Sequence, residues 1–299
     1  MYKGAVWTDP NLQRKEKIMV QALDQQAAVY PPVSLFEISV TGLCNRKCPF
    51  CPRVDPEVYP NVNEYISPHL HTKMMRELGE LDYQGLIVYS GYSEPLLHKE
   101  LDKLVEEARQ CCTKAKIEIY TNGDFLNVDA IHNLFKAGVS SIHVSLYDGP
   151  HQVEYFSRMR EEAGVTDKQL VLRERYLLDQ GAGMHLSNRA GTIDFERMNL
   201  KPLAQPLSKK CYLPFYMMMI DHTGEVFLCS HDWVKKYVVG DLNKETIIEV
   251  WNGLRLKAAR ESLTVGDRGF GPCAKCDVDG TKIGRKHFEE WSQYYNRKF

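Results

Sequence analysis

Residues 35–51 read LFEISVTGLCNRKCPFC. The first eight alternate apolar and polar side chains and favour extended backbone, so they predict a strand followed by a loop. That loop carries Cys44, Cys48 and Cys51 at C-x3-C-x2-C spacing, with Phe50 before the last cysteine. A closed zinc site needs four ligands, and no fourth Cys or His follows at finger spacing. Three thiolates therefore indicate a four-iron cluster with one iron left open for another ligand.

The chain after this loop repeats a pattern of short apolar strand, loop and amphipathic helix. Strands are predicted at 85–91, 116–121, 140–146, 169–175 and 184–188, with helices at 71–81, 98–110 and 128–136. This spacing predicts an α/β fold in which a parallel sheet with right-handed crossovers closes fully or partly into a barrel. In such folds the loops after the strands carry the chemistry, so their residues are expected to face one mouth.

Composition excludes several classes of protein. The 299 residues contain 38 Lys and Arg against 39 Asp and Glu, which argues against a polybasic nucleic-acid-binding arm. No window approaches the ~20 apolar residues of a membrane helix, and the first residues lack the apolar stretch of a secretory signal. We therefore expect a cytoplasmic protein without membrane or nucleic-acid partners. Nine cysteines in a reducing compartment indicate metal or redox chemistry.

The pattern changes near residue 200, where a Pro-containing link precedes a predicted hairpin and further helices. We predict an N-terminal extension (1–34), a barrel (35–200) and a smaller C-terminal domain (201–299). The last domain contains four cysteines at C-x17-C-x43-C-x2-C spacing: Cys211, Cys229, Cys273 and Cys276. Four thiolates suit either a closed zinc site or a fully ligated iron–sulfur cluster. The remaining pair, Cys111 and Cys112, lacks partners at ligand spacing and is interpreted as structural.

The cysteine loop resembles the signature of the radical S-adenosylmethionine (SAM) superfamily, with Phe50 in its aromatic position. Three further motifs agree in order: SGYSEPLLH at 90–98, YTNGDFL at 120–126 and a serine near the end of the fourth strand. The first departs from the usual GEP form by having Ser where Gly is expected. The resemblance implies that the trio holds a 4Fe-4S cluster whose open iron binds SAM. It also implies SAM contacts from Phe50, Ser93, Glu94, Asn122 and Ser145.

The C-terminal cysteines resemble the twitch domain, the shortened form of the SPASM domain. The matching stretches are GEVFLC at 224–229, VGDLNKETIIEVWNG at 239–253 and CAKC at 273–276. A full SPASM domain uses seven cysteines for two clusters, so four cysteines imply one auxiliary 4Fe-4S cluster. The expected cofactors are thus SAM and two 4Fe-4S clusters, with zinc in the second site as the alternative.

The resemblance implies hydrogen abstraction by a 5'-deoxyadenosyl radical and oxidation of an alcohol or amine carbon. The expected substrate is a small molecule of cyclitol or aminosugar type, with the auxiliary cluster as electron acceptor and a flavodoxin- or ferredoxin-type donor. Candidate catalytic residues are Arg189, as an oxyanion contact, and His231, as an acid or base. Candidate substrate residues are Tyr92, Tyr120 and Asp232. Peptide crosslinking or epimerisation, and epimerisation of a small molecule, remain alternatives; oligomeric state is left open.

Overall fold

A computed structural model describes residues 10–25, 30–176 and 186–296. Its centre is an eight-stranded sheet in the order β5-β4-β3-β2-β1-β6-β7-β8. The strands are β1 (Leu35–Ile38), β2 (Leu86–Tyr89), β3 (Lys116–Thr121), β4 (Ser141–Leu146), β5 (Leu170–Glu174), β6 (Met217–Ile220), β7 (Glu225–Phe227) and β8 (Val238–Asp241). Neighbours from β5 to β6 are parallel, whereas β7 and β8 are antiparallel. This is the predicted α/β architecture, with a parallel sheet leading into a hairpin.

Helices connect and cover these strands. They are α1 (Pro10–Gln25), α2 (Pro68–Glu80), α3 (Leu101–Cys111), α4 (Val128–Ala137), α5 (His151–Glu162), α6 (Leu213–Tyr216), α7 (Ile247–Trp251), α8 (Leu254–Thr264) and α9 (Arg285–Asn296). Local sequence sets several of their ends. The side chain of Ser67 accepts from the Leu70 amide to begin α2, and Asn127 accepts from the Ala130 amide to begin α4. No helix in the described ranges combines the length and apolar character that a membrane crossing requires.

The five predicted strands from β1 to β5 form, because each contains a short apolar run; β2 and β4 are buried throughout, whereas β5, at the edge of the sheet, is buried only at Leu170. The predicted sixth strand at 184–188 lies partly outside the described residues, and 186–188 are not in a strand. The place beside β1 is taken by β6, with Leu35 opposite Met217 and Ile38 opposite Ile220. All four residues of β6 are buried, as expected for a strand with neighbours on both faces.

The predicted N-terminal extension contributes helix α1. Met19, Ala22 and Leu23 are buried on one side of this helix, and α1 contacts β2 and α9. Asn11 and Arg14, in its first turns, form hydrogen bonds with side chains of β3. The extension is therefore packed into the fold over residues 10–25.

Candidate active site

One cavity opens at the carboxyl ends of β1 to β5 and extends to the hairpin. Most sequence-predicted site residues line it: Cys44, Cys48, Phe50, Cys51, Tyr92, Ser93, Glu94, Tyr120, Asn122, Ser145 and Arg189. Four further side chains that sequence reasoning missed also line it: Arg46, Arg53, Arg173 and Trp233. Because the strands end at the same edge of the sheet, residues from distant segments of the chain meet on a single cavity wall.

The cysteine loop is fixed from both sides. The guanidinium of Arg46 forms ion pairs with Asp124 and Asp148, which follow β3 and β4. Nε of Arg53 donates to the Tyr92 carbonyl at 2.6 Å. These contacts hold the loop over the barrel mouth, where planar guanidinium groups can bridge several acceptors at once.

The three thiols of this loop are neighbours on the cavity wall. Burial, with Cys51 and Cys44 nearby, raises the pKa of the Cys48 thiol to about 12. Iron displaces such protons when it binds thiolates, so the raised pKa predicts proton release on cluster assembly. Three thiols carried by one loop on the cavity wall match the donor set of an open-site cluster.

Glu94 links the loops that follow β2 and β3. Its carboxylate accepts from Thr121 Oγ1 at 2.6 Å, the Asn122 amide at 2.8 Å and the Leu96 amide at 3.0 Å. Burial raises the pKa of Glu94 to about 7. Both carboxylate oxygens are committed to the chain, so Glu94 shapes the site by fixing its neighbours. Ser93 Oγ, in contrast, is buried and has no hydrogen-bond partner among the described residues.

Arg173 and Ser145 form a polar pair at the ends of β5 and β4. Nη1 of Arg173 donates to Ser145 Oγ at 3.3 Å, and the guanidinium carbon lies 4.7 Å from the Tyr120 ring centroid. Arg173 follows three apolar residues of LVLRE near the end of a barrel strand. A charged residue at that position was a sequence signal for a side chain that faces the site. A cation beside a hydroxyl is suited to hold a carboxylate.

The hairpin contributes Trp233 to the cavity. Its ring lies 4.4 Å from the Tyr92 ring and 5.0 Å from the Tyr59 ring, between centroids. Trp233 is 6% exposed, and its Nε1 has no hydrogen-bond partner in the described part of the chain. The indole therefore brings a buried donor to the side of the cavity nearest the C-terminal cysteines.

The structure does not place His231 or Asp232 on the cavity lining. Asp232 is fully buried, and its carboxylate accepts from the Lys236 amide at 2.9 Å and the Tyr237 amide at 2.7 Å. It stabilises the turn after Cys229, because buried amides there need acceptors. In this structure the Asp232 carboxylate is thus engaged with the backbone, and its contact with substrate stays a prediction.

The four C-terminal cysteines come together from three segments. Cys211, Cys229, Cys273 and Cys276 are each 7–8% exposed, and all are free thiols. Burial and the nearby Cys211 raise the pKa of Cys276 to about 11. Within the described ranges, no three His, Cys, Asp or Glu side chains converge closely enough for a single metal ion. A four-iron cube accepts thiolates spread around its corners, so four buried thiols fit a cluster.

Arg268 fastens the segments that carry two of these cysteines. Its guanidinium donates to the carbonyls of Lys209, Lys210 and Val278 at 2.7–2.9 Å. Arg268 is 2% exposed, so these charge-assisted bonds are made away from water. These bonds hold the segment before Cys211 next to the segment after Cys276.

Two contacts connect the cavity to this second site. The Tyr92 hydroxyl donates to the Cys229 carbonyl at 3.1 Å. Asn188 donates through Nδ2 to the Lys275 carbonyl at 2.8 Å, and its amide donates to the Asp277 carboxylate. Arg189 follows directly and has a positive φ of 47°. The loop that carries Arg189 is therefore fixed to the second cysteine site.

The Arg189 side chain lines the cavity. Its Nε is buried and makes no hydrogen bond with any described residue. A guanidinium at this position can bind an oxygen that carries or develops negative charge.

Gly280 gives a direct test of the second site. A methyl group there would overlap the Cys211 sulfur, while the Gly280 carbonyl is held by the Tyr212 amide at 2.8 Å. We expect Gly280→Ala to lower the iron content from about eight to about four atoms per chain. Gly269→Ala is the control, because its new methyl would meet only the Asp267 carboxylate at 3.1 Å. Retention of about eight irons by Gly280→Ala would contradict this assignment.

Comparison with known proteins agrees with this geometry. The family described as the radical SAM superfamily matches residues 38–168, and the SPASM iron–sulfur cluster-binding domain matches residues 211–277. The S-adenosyl-L-methionine-dependent 2-deoxy-scyllo-inosamine dehydrogenase of Niallia circulans is 30% identical over 245 residues, which is 82% of this chain and 92% of that protein. The GTP 3',8-cyclase of Staphylococcus epidermidis is 32% identical over 119 residues, which is 38% of this chain and 34% of the cyclase.

Among solved structures, BtrN in complex with AdoMet and 2-DOIA matches with a TM-score of 0.70 and 26% identity. The match covers 84% of this chain and 95% of BtrN. The two cysteine groups lie within the two matched family regions. The second group lies in the region matched by an iron–sulfur cluster-binding domain, which favours a cluster there over the zinc alternative. This chain therefore belongs to the radical SAM superfamily and is an enzyme that uses SAM and iron–sulfur clusters.

Proposed function

We propose that this enzyme dehydrogenates a small cyclic polyol or aminosugar at a carbon bearing a hydroxyl or amine group. One observation carries the proposal: a single cavity is lined by the cysteine trio and by Arg189 and Trp233, both attached to the second cysteine site. A small substrate in this cavity would lie between the two cysteine groups.

We assign the side chains that line the cavity to two tasks, binding SAM and binding the substrate. When bound, the two clusters and SAM supply a hydrogen-abstracting radical and an acceptor for the second electron. Phe50, 5.3 Å from Tyr147 between ring centroids, forms an apolar wall beside the cysteine loop. Ser145 and Arg173, which share a hydrogen bond on the cavity wall, would hold the SAM carboxylate, and Ser93 and Asn122 would contact its remaining polar groups.

Arg189 and Trp233 would orient the substrate. Both present buried N–H groups that lack acceptors in the described structure, whereas the Glu94 carboxylate on the same wall is already engaged. Such donors suit the oxygen atoms of a hydroxylated ring, since each unpaired buried donor gains an acceptor. As the hydroxyl proton leaves, Arg189 would stabilise the negative charge that develops on oxygen.

The experiment uses anaerobically reconstituted enzyme with SAM, a low-potential reductant and a panel of cyclitols and aminosugars. We expect a product about two mass units lighter than its substrate, formed in step with 5'-deoxyadenosine. Deuterium at the oxidised carbon should appear in 5'-deoxyadenosine. A product of unchanged mass with one inverted carbon would instead establish epimerisation. Modification of a peptide with no turnover of any sugar would overturn the proposal.

Two substitutions test the substrate contacts. We expect Arg189→Gln to lower the rate of oxidation by about 10–100-fold, because a hydrogen bond from a charged donor is lost. Trp233→Phe keeps an aromatic ring but removes the N–H, so we expect about a 2–10-fold rise in KM. SAM affinity, measured by equilibrium dialysis, should be unchanged in both. A loss of SAM affinity equal to the loss of rate would place these residues at SAM instead.

A further inference from the structure

The N-terminal helix α1 extends polar side chains into the interior of the partial barrel. Arg14 forms a bidentate ion pair with Glu118 of β3, and Nδ2 of Asn11 donates to the Tyr120 hydroxyl at 2.9 Å. The Tyr120 hydroxyl donates in turn to Glu118 Oε2 at 3.1 Å. Glu118 is 1% exposed, so α1 supplies the cation that allows a carboxylate at this depth.

Two other basic side chains lie near Glu118 in the described structure, and neither duplicates this bidentate contact. The next candidate, His143, is fully buried, and burial lowers its pKa to about 2, so it is neutral. Lys15 lies 4.4 Å from the Tyr120 ring centroid, on the ring rather than on the Glu118 carboxylate. The bidentate contact with Glu118 therefore depends on Arg14 and on the position of α1.

These contacts fix the orientation of Tyr120. Its ring stacks on His143 with 4.4 Å between centroids and 7° between planes. The Arg173 guanidinium packs on the Tyr120 ring at 4.7 Å, and the same guanidinium donates to Ser145 Oγ. A continuous path of direct contacts therefore runs from α1 through Tyr120 to the polar pair on the cavity wall.

We infer that α1 is part of the SAM-binding site and that Arg14 is a positioning residue, which fixes Tyr120 and thereby Arg173. The inference rests on the proposed contact of Ser145 and Arg173 with the SAM carboxylate. A guanidinium packed on a fixed aromatic ring loses little freedom when it binds a carboxylate, so fixing the ring strengthens that contact.

The test separates this role from a general contribution of α1 to stability. In the double variant Arg14→Met with Glu118→Gln, the buried pair is replaced without leaving an unpaired charge. The control is Asp24→Asn, which removes the ion pair to Lys286 at the C-terminal end of α1. Affinity for SAM is measured by anaerobic equilibrium dialysis on the reconstituted enzyme, together with the melting temperature.

We expect SAM to bind about tenfold more weakly to the double variant and with unchanged affinity to Asp24→Asn. Arg173→Met measures the contact on which the inference rests. If Arg173→Met weakens SAM binding, adding the double change to Arg173→Met should cause no loss beyond that of Arg173→Met alone, because both changes act through one guanidinium. Additive losses, or unchanged affinity in the double variant, would overturn the role of α1. Unchanged affinity in Arg173→Met would refute the placement of SAM itself.

If the double variant does not fold, Tyr120→Phe provides the same test. It keeps the ring but removes the hydroxyl that joins Asn11 to Glu118. We expect about a threefold loss of SAM affinity, because the ring keeps its stack on His143 but loses the hydrogen bonds that fix its outer end. Unchanged SAM affinity in this variant would refute the inference.

Discussion

Replacing Cys273 and Cys276 together with alanine is expected to abolish oxidation while 5'-deoxyadenosine is still formed. Both ligands leave the second site, so iron should fall from about eight to about four atoms per chain. The cavity and the cysteine trio are untouched by this change. Without an acceptor for the second electron, we expect oxidised product to fall by at least about 100-fold and SAM cleavage by less than about threefold.

The surrounding loop should survive this substitution. Asn188 contacts the Lys275 carbonyl and the Asp277 amide and carboxylate, none of which depends on a thiol. Chromatographic assay of 5'-deoxyadenosine and mass spectrometry of the sugar give the two readouts. Equal loss of both would show that the second site supports SAM cleavage, and full retention of oxidation would refute its role as electron acceptor.

Replacing Cys48 with alanine should instead abolish both activities. Cys48 lies in the fixed loop that lines the cavity, and the trio has no fourth cysteine nearby to substitute for it. We expect 5'-deoxyadenosine to fall at least about 1000-fold while about four irons remain in the second site. The Arg46 and Arg53 contacts should hold the loop in place, so the melting temperature changes little.

Cys111→Ala is the matched control for this variant. Cys111 ends α3 and is absent from the lining of the cavity. It should keep about eight irons and the rates of the natural sequence. Iron loss in Cys111→Ala, or SAM cleavage by Cys48→Ala, would contradict the assignment of the cysteines.

Much of the fold was predictable because its signals are local. Runs such as KIEIYT and SSIHVSL predict strands, and C-x3-C-x2-C places three thiols in one loop whatever surrounds them. The pairing of β6 with β1 was missed, because it joins residues distant in sequence and depends on which edge is free. The polar first turns of α1 were interpreted as an extension, although Arg14 is half-buried against a carboxylate that its own segment cannot reveal.

The sequence predicted the grouping of the cysteines better than the other side chains that line the cavity. Cysteine spacing in the sequence indicates which thiols can bind one cluster. Which side chain of the hairpin faces the cavity depends instead on the backbone conformation of the turn after Cys229. His231 and Asp232 follow Cys229 directly, yet Trp233 reaches the cavity because Asp232 turns inward to hold two backbone amides. A search for polar residues near the cysteine could not have found an aromatic ring.

The pairing of β6 with β1 has a consequence for how this enzyme can be divided. A chain cut near residue 200 would leave β1 with a row of unpaired amides and carbonyls along an edge that is normally covered. Exposed edges of this kind recruit other strands, so such a fragment is expected to self-associate instead of forming an isolated radical SAM module. The second unit is thus a structural part of the first, and their functions can be separated by point substitution but not by truncation.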